Sequence, residues 1–172
     1  LTIDTDYTQN LSGNGQGLYM TNPSGEVIIT GTASFQSNYS SSMSAGMLRL
    51  RGHLNADGYG SFRTSSGFVT RFEGSAPQDI SFLRGGTAGS YFGTLDVASG
   101  ADVTYLTPTS TSQLYTSSDL DVDGALTIAT GVAPTVNGNL TVSGTVTNNG
   151  SSMQVNGICT FTGTFTGPSS CP

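Results

Sequence analysis

The chain has 172 residues, a net charge of −6 and 9% charged residues, against about 25% in a typical soluble domain. All five basic residues are arginines, so the basic stripe that nucleic acids and anionic membranes require is missing. No apolar run reaches the roughly 20 residues of a membrane span, and the first residues lack the pattern of a signal peptide. The composition therefore excludes nucleic-acid binding and membrane insertion.

The rest of the composition favours strands joined by tight turns. The chain contains 24 glycines and six prolines, and the strand-forming residues Val, Ile, Thr and Phe occur throughout. No stretch carries the residues that build long helices. We predict a single all-β domain over residues 1–172, beginning with an N-terminal arm or cap at 1–26. Residues 36–46 (QSNYSSSMSAG) are low in complexity and predict a loop.

A short phrase repeats along the chain, in which apolar residues alternate with others around a central glycine. Its copies cover residues 29–35, 50–56, 122–128, 136–142 and 155–161, with a degraded copy at 72–76. The central glycines are Gly31, Gly52, Gly74, Gly124, Gly138 and Gly157, separated by 21, 22, 50, 14 and 19 residues. We predict two further coils in the 50-residue gap, one of them around 95–97 and 103–105.

Strict alternation gives each copy one apolar and one polar face, as in a half-buried strand. A period near twenty favours a right-handed parallel β-helix of about 7–8 coils, in which equivalent strands of successive coils pair. The apolar residues at 136–142 should then stack between those at 122–128 and those at 155–161. The predicted inward ladder is Leu120, Val122, Leu126, Ile128, Val136, Leu140, Val142, Val146, Val155, Cys159, Phe161 and Phe165. An antiparallel β-sandwich is the alternative, because Asn-Gly turns also suit hairpins.

The repeat is least regular between Gly58 and Gly93, where arginines and aromatic residues collect. These residues are Phe62, Arg63, Phe68, Arg71, Phe72, Phe82, Arg84, Tyr91 and Phe92. Aromatic and arginine side chains are enriched at recognition surfaces. The segment from Arg63 to Phe92 is therefore a candidate for binding glycans or other cell surfaces.

Three aspartates alternate in the segment DLDVDG at 119–124, which is similar to the opening of a calcium-binding loop. The twelfth position of such a loop is Thr130, where a bidentate glutamate is expected. The two apolar residues between the aspartates fit the inward ladder, which places the carboxylates on an outer face. We prefer a solvated acidic stripe that discourages edge pairing, with a calcium site at Asp119, Asp121 and Asp123 as the alternative.

The sequence predicts no enzyme and no cofactor. His53 is the only histidine, it falls at an outward position of the repeat, and no G-x-S-x-G motif supplies a nucleophile. Neither a phosphate-binding glycine loop nor a standard zinc site occurs. A polysaccharide-active groove needs its carboxylates together with a basic residue, whereas the arginines and the aspartate triplet here lie in different halves of the chain.

Threonines two residues apart recur near the end of the chain. The pairs are Thr145 and Thr147, Thr160 and Thr162, and Thr164 and Thr166. Regular threonine ladders on a flat solenoid face can order water and bind ice, but threonine is also common on outer strand faces. Ice binding is a less favoured prediction, because the earlier coils do not keep these pairs.

Cys159 and Cys171 are the only cysteines. A bridge between them would pin the tail at 166–172 over the last coil and stabilise it by about 3 kcal/mol; two separate thiols are the alternative. A bridge and a lysine-free surface favour a secreted or cell-surface location. Four glycosylation sequons also occur, at Asn10, Asn38, Asn139 and Asn149.

Two segments carry a family resemblance: MLRLRGHLNADGYGSFRTSSGFVTRFEGSAPQDISF and LDVDGALTIATGVAPTVNGNLTVSGTVTNNGSSMQVNG. They resemble repeats of large secreted bacterial proteins, similar to autotransporter passengers and filamentous adhesins, over roughly residues 27–165. The resemblance implies a parallel β-helix with a structural or adhesive role. We therefore expect an extracellular structural protein, a homopolymer subunit of a surface fibre, sheath or layer built by stacked solenoids, with a glycan- or surface-binding adhesin as the alternative.

Overall fold

A computed structural model shows an all-β chain whose strands stack as a β-solenoid. It describes residues 1–9, 18–36, 42–58, 60–106 and 113–172. Every strand pair in these ranges is parallel, including the strands on either side of Gly138. The solenoid prediction is therefore confirmed, and the antiparallel sandwich is wrong. Within the same ranges, no helix has the length and apolar character needed to cross a bilayer.

Two eight-stranded sheets run the length of the solenoid, and about seven turns of chain connect their strands. The first sheet contains β1 (Thr2–Ile3), β4 (Glu26–Ile29), β7 (Gly46–Leu50), β9 (Phe68–Phe72), β11 (Thr94–Val97), β14 (Leu120–Val122), β17 (Leu140–Val142) and β20 (Cys159–Phe161). The second contains β2 (Tyr7–Gln9), β5 (Ala33–Phe35), β8 (Leu54–Ala56), β10 (Gln78–Phe82), β12 (Asp102–Tyr105), β15 (Ala125–Ile128), β18 (Thr145–Asn148) and β21 (Thr164–Thr166). The third side holds the pair β3 (Tyr19–Met20) and β6 (Ser42–Met43), and a sheet of β13 (Tyr115–Thr116), β16 (Thr135–Val136), β19 (Met153–Val155) and β22 (Ser169–Ser170).

The first nine residues belong to the solenoid. Thr2 lies opposite Ile28, and Tyr7 lies opposite Ala33, so β1 and β2 form two sides of the first coil. The predicted loop at 36–46 is wrong at its C-terminal end, because β6 pairs with β3 and β7 already begins at Gly46. Residues 37–41 of that loop lie outside the described ranges.

The interior is a continuous apolar core, as strict alternation along each strand requires. Along the first sheet, Leu95, Leu120, Leu140 and Cys159 occupy equivalent positions in four successive coils. The first three of these side chains are fully buried. Each apolar side chain is therefore covered by its counterparts in the coils above and below.

The predicted stacking within this core is only partly correct. Val142 lies between Val122 and Phe161, as expected. Leu140, however, pairs with Leu120 and not with Leu126, which belongs to the second sheet. A full coil is therefore 20 residues long here, the separation of Leu120 and Leu140.

The 14-residue spacing arises because one phrase marks two different corners. Gly124 turns the chain from the first sheet to the second, whereas Gly138 turns it from the third side back to the first. The true equivalents of Gly124 are Gly144 and Gly163, and a Cβ atom on each would collide with the carbonyl oxygen of the corner glycine one coil earlier. The backbones of successive coils approach so closely at this corner that only glycine fits.

The last coil departs from the predicted core. Phe161, predicted to face inward, is 43% exposed, and Cys159 and Phe165 are only partly buried. The inward direction was correct, but β20 and β21 are the final strands of their sheets. Their side chains are consequently covered from one side only.

Candidate functional site

The outer face of the first sheet carries a charged ladder, formed by Glu26, Arg49, Arg51, Arg71, Glu73 and Asp96. Arg49 contacts Glu26 at 3.1 Å and Glu73 at 2.7 Å, and Arg51 contacts Glu73 at 3.0 Å. Arg71 contacts Asp96 at 2.6 Å. Because the partners lie on different coils, these ion pairs join four neighbouring strands, β4, β7, β9 and β11.

The two carboxylates of this ladder respond in opposite ways to their surroundings. Burial acts to raise the pKa of Glu73, but hydrogen bonds from Arg49 and Arg51 outweigh it, and the pKa falls below its usual value. Burial raises the pKa of Asp96, where the Arg71 guanidinium opposes the change and the charges of Asp121 and Asp123 add to it. Negative charge is therefore well accommodated at Glu73 and crowded beyond Asp96.

The aspartate triplet joins two coils. The Oδ1 atom of Asp119 accepts a hydrogen bond from the backbone N–H of Asn139 at 2.7 Å, and a carboxylate oxygen of Asp123 accepts one from the Ser143 hydroxyl. Asp121 is hydrogen-bonded to Thr141, yet burial and the two flanking aspartates raise its pKa. The described ranges contain no group of three His, Cys, Asp or Glu residues placed to hold a metal ion.

A shallow groove of about 510 Å³ runs beside the charged ladder, where the corners of successive coils meet. Its lining includes Arg51, Arg71, Glu73, Ser75 and Ser99. Both guanidinium groups already contact Glu73, Arg51 at 3.0 Å and Arg71 at 3.9 Å. Positive and negative charge are thus balanced within the groove.

The single histidine also connects coils. His53 points outward, as predicted, and its Nδ1 atom accepts a hydrogen bond from the backbone N–H of Asp79 at 2.9 Å. The same nitrogen lies 3.5 Å from the Asp79 carboxylate. In this geometry the imidazole holds β8 and β10 in register.

The aromatic residues of the irregular middle segment belong to the core. Phe62, Phe68, Phe72, Phe82 and Phe92 are at most 1% exposed, and several form ring pairs at 5.2–5.7 Å. The guanidinium of Arg63 donates to the carbonyl oxygens of Ala88 and Gly89, both at 2.8 Å. The phenylalanines therefore offer no exposed surface for stacking sugars, and the feature that favoured glycan binding is an interior packing feature.

The outer face of the second sheet carries two columns of threonines, here called the threonine face. Thr104, Thr127, Thr147 and Thr166 occupy equivalent positions in four successive coils. Thr145 and Thr164 form a parallel column two residues away, which Asp102 and Ala125 continue. The expectation that earlier coils do not keep the threonines is thus wrong for one column. Only those substitutions at Asp102 and Ala125 interrupt the T-x-T pattern.

The end of the last coil is the main exposed apolar surface of the C-terminal coils. Ile158 is 71% exposed and Phe161 is 43% exposed, and the rings of Phe161 and Phe165 lie 5.5 Å apart. The strands β20, β21 and β22 each have a neighbour on one side only. We call this surface the exposed end.

A disulfide closes the exposed end, which confirms the predicted pairing. Cys159 and Cys171 are joined with an S–S distance of 2.07 Å, and both side chains pack against the core. The tail between them contributes β22, in which Ser169 lies opposite Met153. Two of the sequons, Asn139 and Asn149, are exposed; the other two lie outside the described ranges.

Comparison with protein-family models, with curated proteins and with solved structures gave no match. The resemblance to autotransporter passengers and filamentous adhesins is therefore supported at the level of architecture, by the parallel solenoid itself.

Proposed function

We propose that the chain is a structural subunit of an extracellular fibre, sheath or layer in which solenoids stack end to end. The observation that carries the proposal is the exposed end, where three strands present unpaired edges beside Ile158 and Phe161. Unpaired strand edges are templates for pairing with another chain. Apolar side chains at the same place add the burial that favours association.

The geometry favours one direction of stacking. The first coil presents β1 and β2 at the opposite extremes of the same two sheets that β20 and β21 terminate. Parallel pairing is preserved only if the exposed end of one copy meets the first coil of the next. Such a head-to-tail contact does not close on itself, so it produces an open filament.

Charge does not oppose this contact from the side of the exposed end. No Asp, Glu, Lys or Arg occurs after Asp123, so the last coils carry no side-chain charge to repel or desolvate. The charged residues of the earlier coils are used in ion pairs between strands. This distribution supports a structural and non-enzymatic role, and the disulfide supports an oxidising, extracellular compartment.

Two neighbouring substitutions test the proposal. Phe161→Glu places a charge in the exposed end, whereas Thr160→Glu places the same charge on the outer face of the same strand. We expect the native chain and Thr160→Glu to form filaments in electron micrographs, with a sedimentation coefficient that rises with concentration. Phe161→Glu should remain monomeric with an unchanged circular dichroism spectrum. Monodisperse native monomers at high concentration would overturn the proposal.

A further inference from the structure

We propose that the threonine face is an ice-binding surface, a function separate from end-to-end stacking. The parallel register places its hydroxyls on a two-dimensional grid. Neighbouring coils are about 4.8 Å apart, and residues two apart along a strand are separated by about 6.7 Å. These two repeats are close to the spacings of water oxygens on the surface of an ice crystal.

The side chains of this face suit such a partner. Thr145, Thr164 and Thr166 are exposed, and the other three threonines are partly exposed. Within the described ranges, none of the six hydroxyls hydrogen-bonds another protein group, so all are free to bond water. Threonine is branched at Cβ and has few rotamers, so ordering these side chains against a regular surface costs little entropy.

The distribution of charge sets the limits of the face. Asp79 precedes Thr104 in the longer column, and Asp102 begins the shorter one. Beyond them, every outward residue of β15, β18 and β21 is uncharged. Charged groups orient water around themselves, whereas an uncharged grid of hydroxyls and methyls leaves water free to adopt the lattice of ice.

A crystalline neutral polysaccharide is the other partner of comparable chemistry. Such surfaces are commonly held by aromatic rings that lie flat against the sugars. The outward positions of β12, β15, β18 and β21 hold Asp, Ala and Thr only. The observations therefore favour ice.

The test measures thermal hysteresis and inhibition of ice recrystallisation by the full chain. Thr147→Tyr puts a bulky ring in the middle of the threonine face, and Thr160→Tyr puts the same ring on the first sheet as a matched control. We expect the native chain and Thr160→Tyr to shape ice crystals, and Thr147→Tyr to lose at least about tenfold in activity. Both variants should keep the native circular dichroism spectrum and denaturation midpoint.

Three results would overturn the proposal. The first is a native chain without effect on ice at millimolar concentration, and the second is an equal loss in the two variants. The third is binding to crystalline cellulose or chitin that Thr147→Tyr abolishes, in a chain that has no effect on ice. Because the assay is read on folded monomer as well as on filament, its failure leaves the stacking proposal standing.

Discussion

Leu140 offers the most direct measure of how the stacked core stabilises the solenoid. Its side chain is fully buried and lies between Leu120 and Cys159 in the neighbouring coils. Replacing it with alanine removes three carbons, worth about 0.8 kcal/mol each in lost burial, and leaves a cavity that adds to this cost. Because the disulfide restrains Cys159, the cavity cannot close fully. We expect Leu140→Ala to cost about 3–4 kcal/mol.

Urea denaturation followed by far-UV circular dichroism measures this loss. The slope of the free energy against urea concentration should stay unchanged, because the variant exposes the same surface on unfolding. Thr160→Ala is the control, since Thr160 is exposed on the outer face of β20, and it should change stability by less than about 0.5 kcal/mol. A cost below about 1 kcal/mol at Leu140, with an unchanged slope, would refute the view that each coil buries its neighbours.

Three further changes test other parts of the structure. Gly144→Ala should destabilise by about 1–3 kcal/mol in the same urea assay, because its methyl group would meet the Gly124 carbonyl; a neutral effect would contradict the corner geometry. Asp121→Asn should raise the urea midpoint at pH 7 and leave it unchanged below pH ~3. Burial and neighbouring aspartates raise the pKa of Asp121, so its charged form disfavours folding above that pKa and the penalty disappears as pH falls. A lower midpoint at pH 7 would contradict this sign. Reducing the disulfide should cost about 3 kcal/mol, add two hydrogens by mass, and speed amide exchange in β21 while β14 stays protected; equal exchange in both strands would show that the bridge is not local.

The architecture could be predicted because each strand follows a strict two-residue alternation. Val142 and its partners in the coils on either side were placed correctly from that pattern alone. The coil containing residues 95–97 and 103–105 was also found without a complete phrase, and these residues lie in β11 and β12. Alternation is a local property, and it survives wherever a strand has one buried face.

Register could not be predicted in the same way, because the corners look alike in the sequence. The phrases around Gly124 and Gly138 have the same pattern of apolar residues, yet they turn the chain at different corners. The charged ladder was missed for a related reason. Arg49 and Arg71 are 22 residues apart, one coil at that point, but their pairing with Glu73 becomes visible only when the strands are aligned. The buried phenylalanines were misjudged because irregular spacing was interpreted as surface.

Deleting one coil distinguishes the observed register from the spacing of the phrases. Removing residues 120–139 brings Leu140 into the position of Leu120, which is its equivalent one coil earlier. Strands β17, β18 and β19 would then stack directly on β11, β12 and β13. Because stability in a solenoid is approximately a sum over coils and their interfaces, this shorter chain should fold cooperatively with a smaller dependence of unfolding free energy on urea.

Removing residues 122–135 is the matched control. It joins two copies of the phrase perfectly in sequence, since Val136 takes the place of Val122, but it removes β15 and leaves a coil without its second side. We expect this variant to lose the cooperative transition and to bind hydrophobic dyes. If the 14-residue deletion folded as well as the 20-residue deletion, the two corners would be interchangeable. The sheet register, and the grid of threonines that depends on it, would then have to be abandoned.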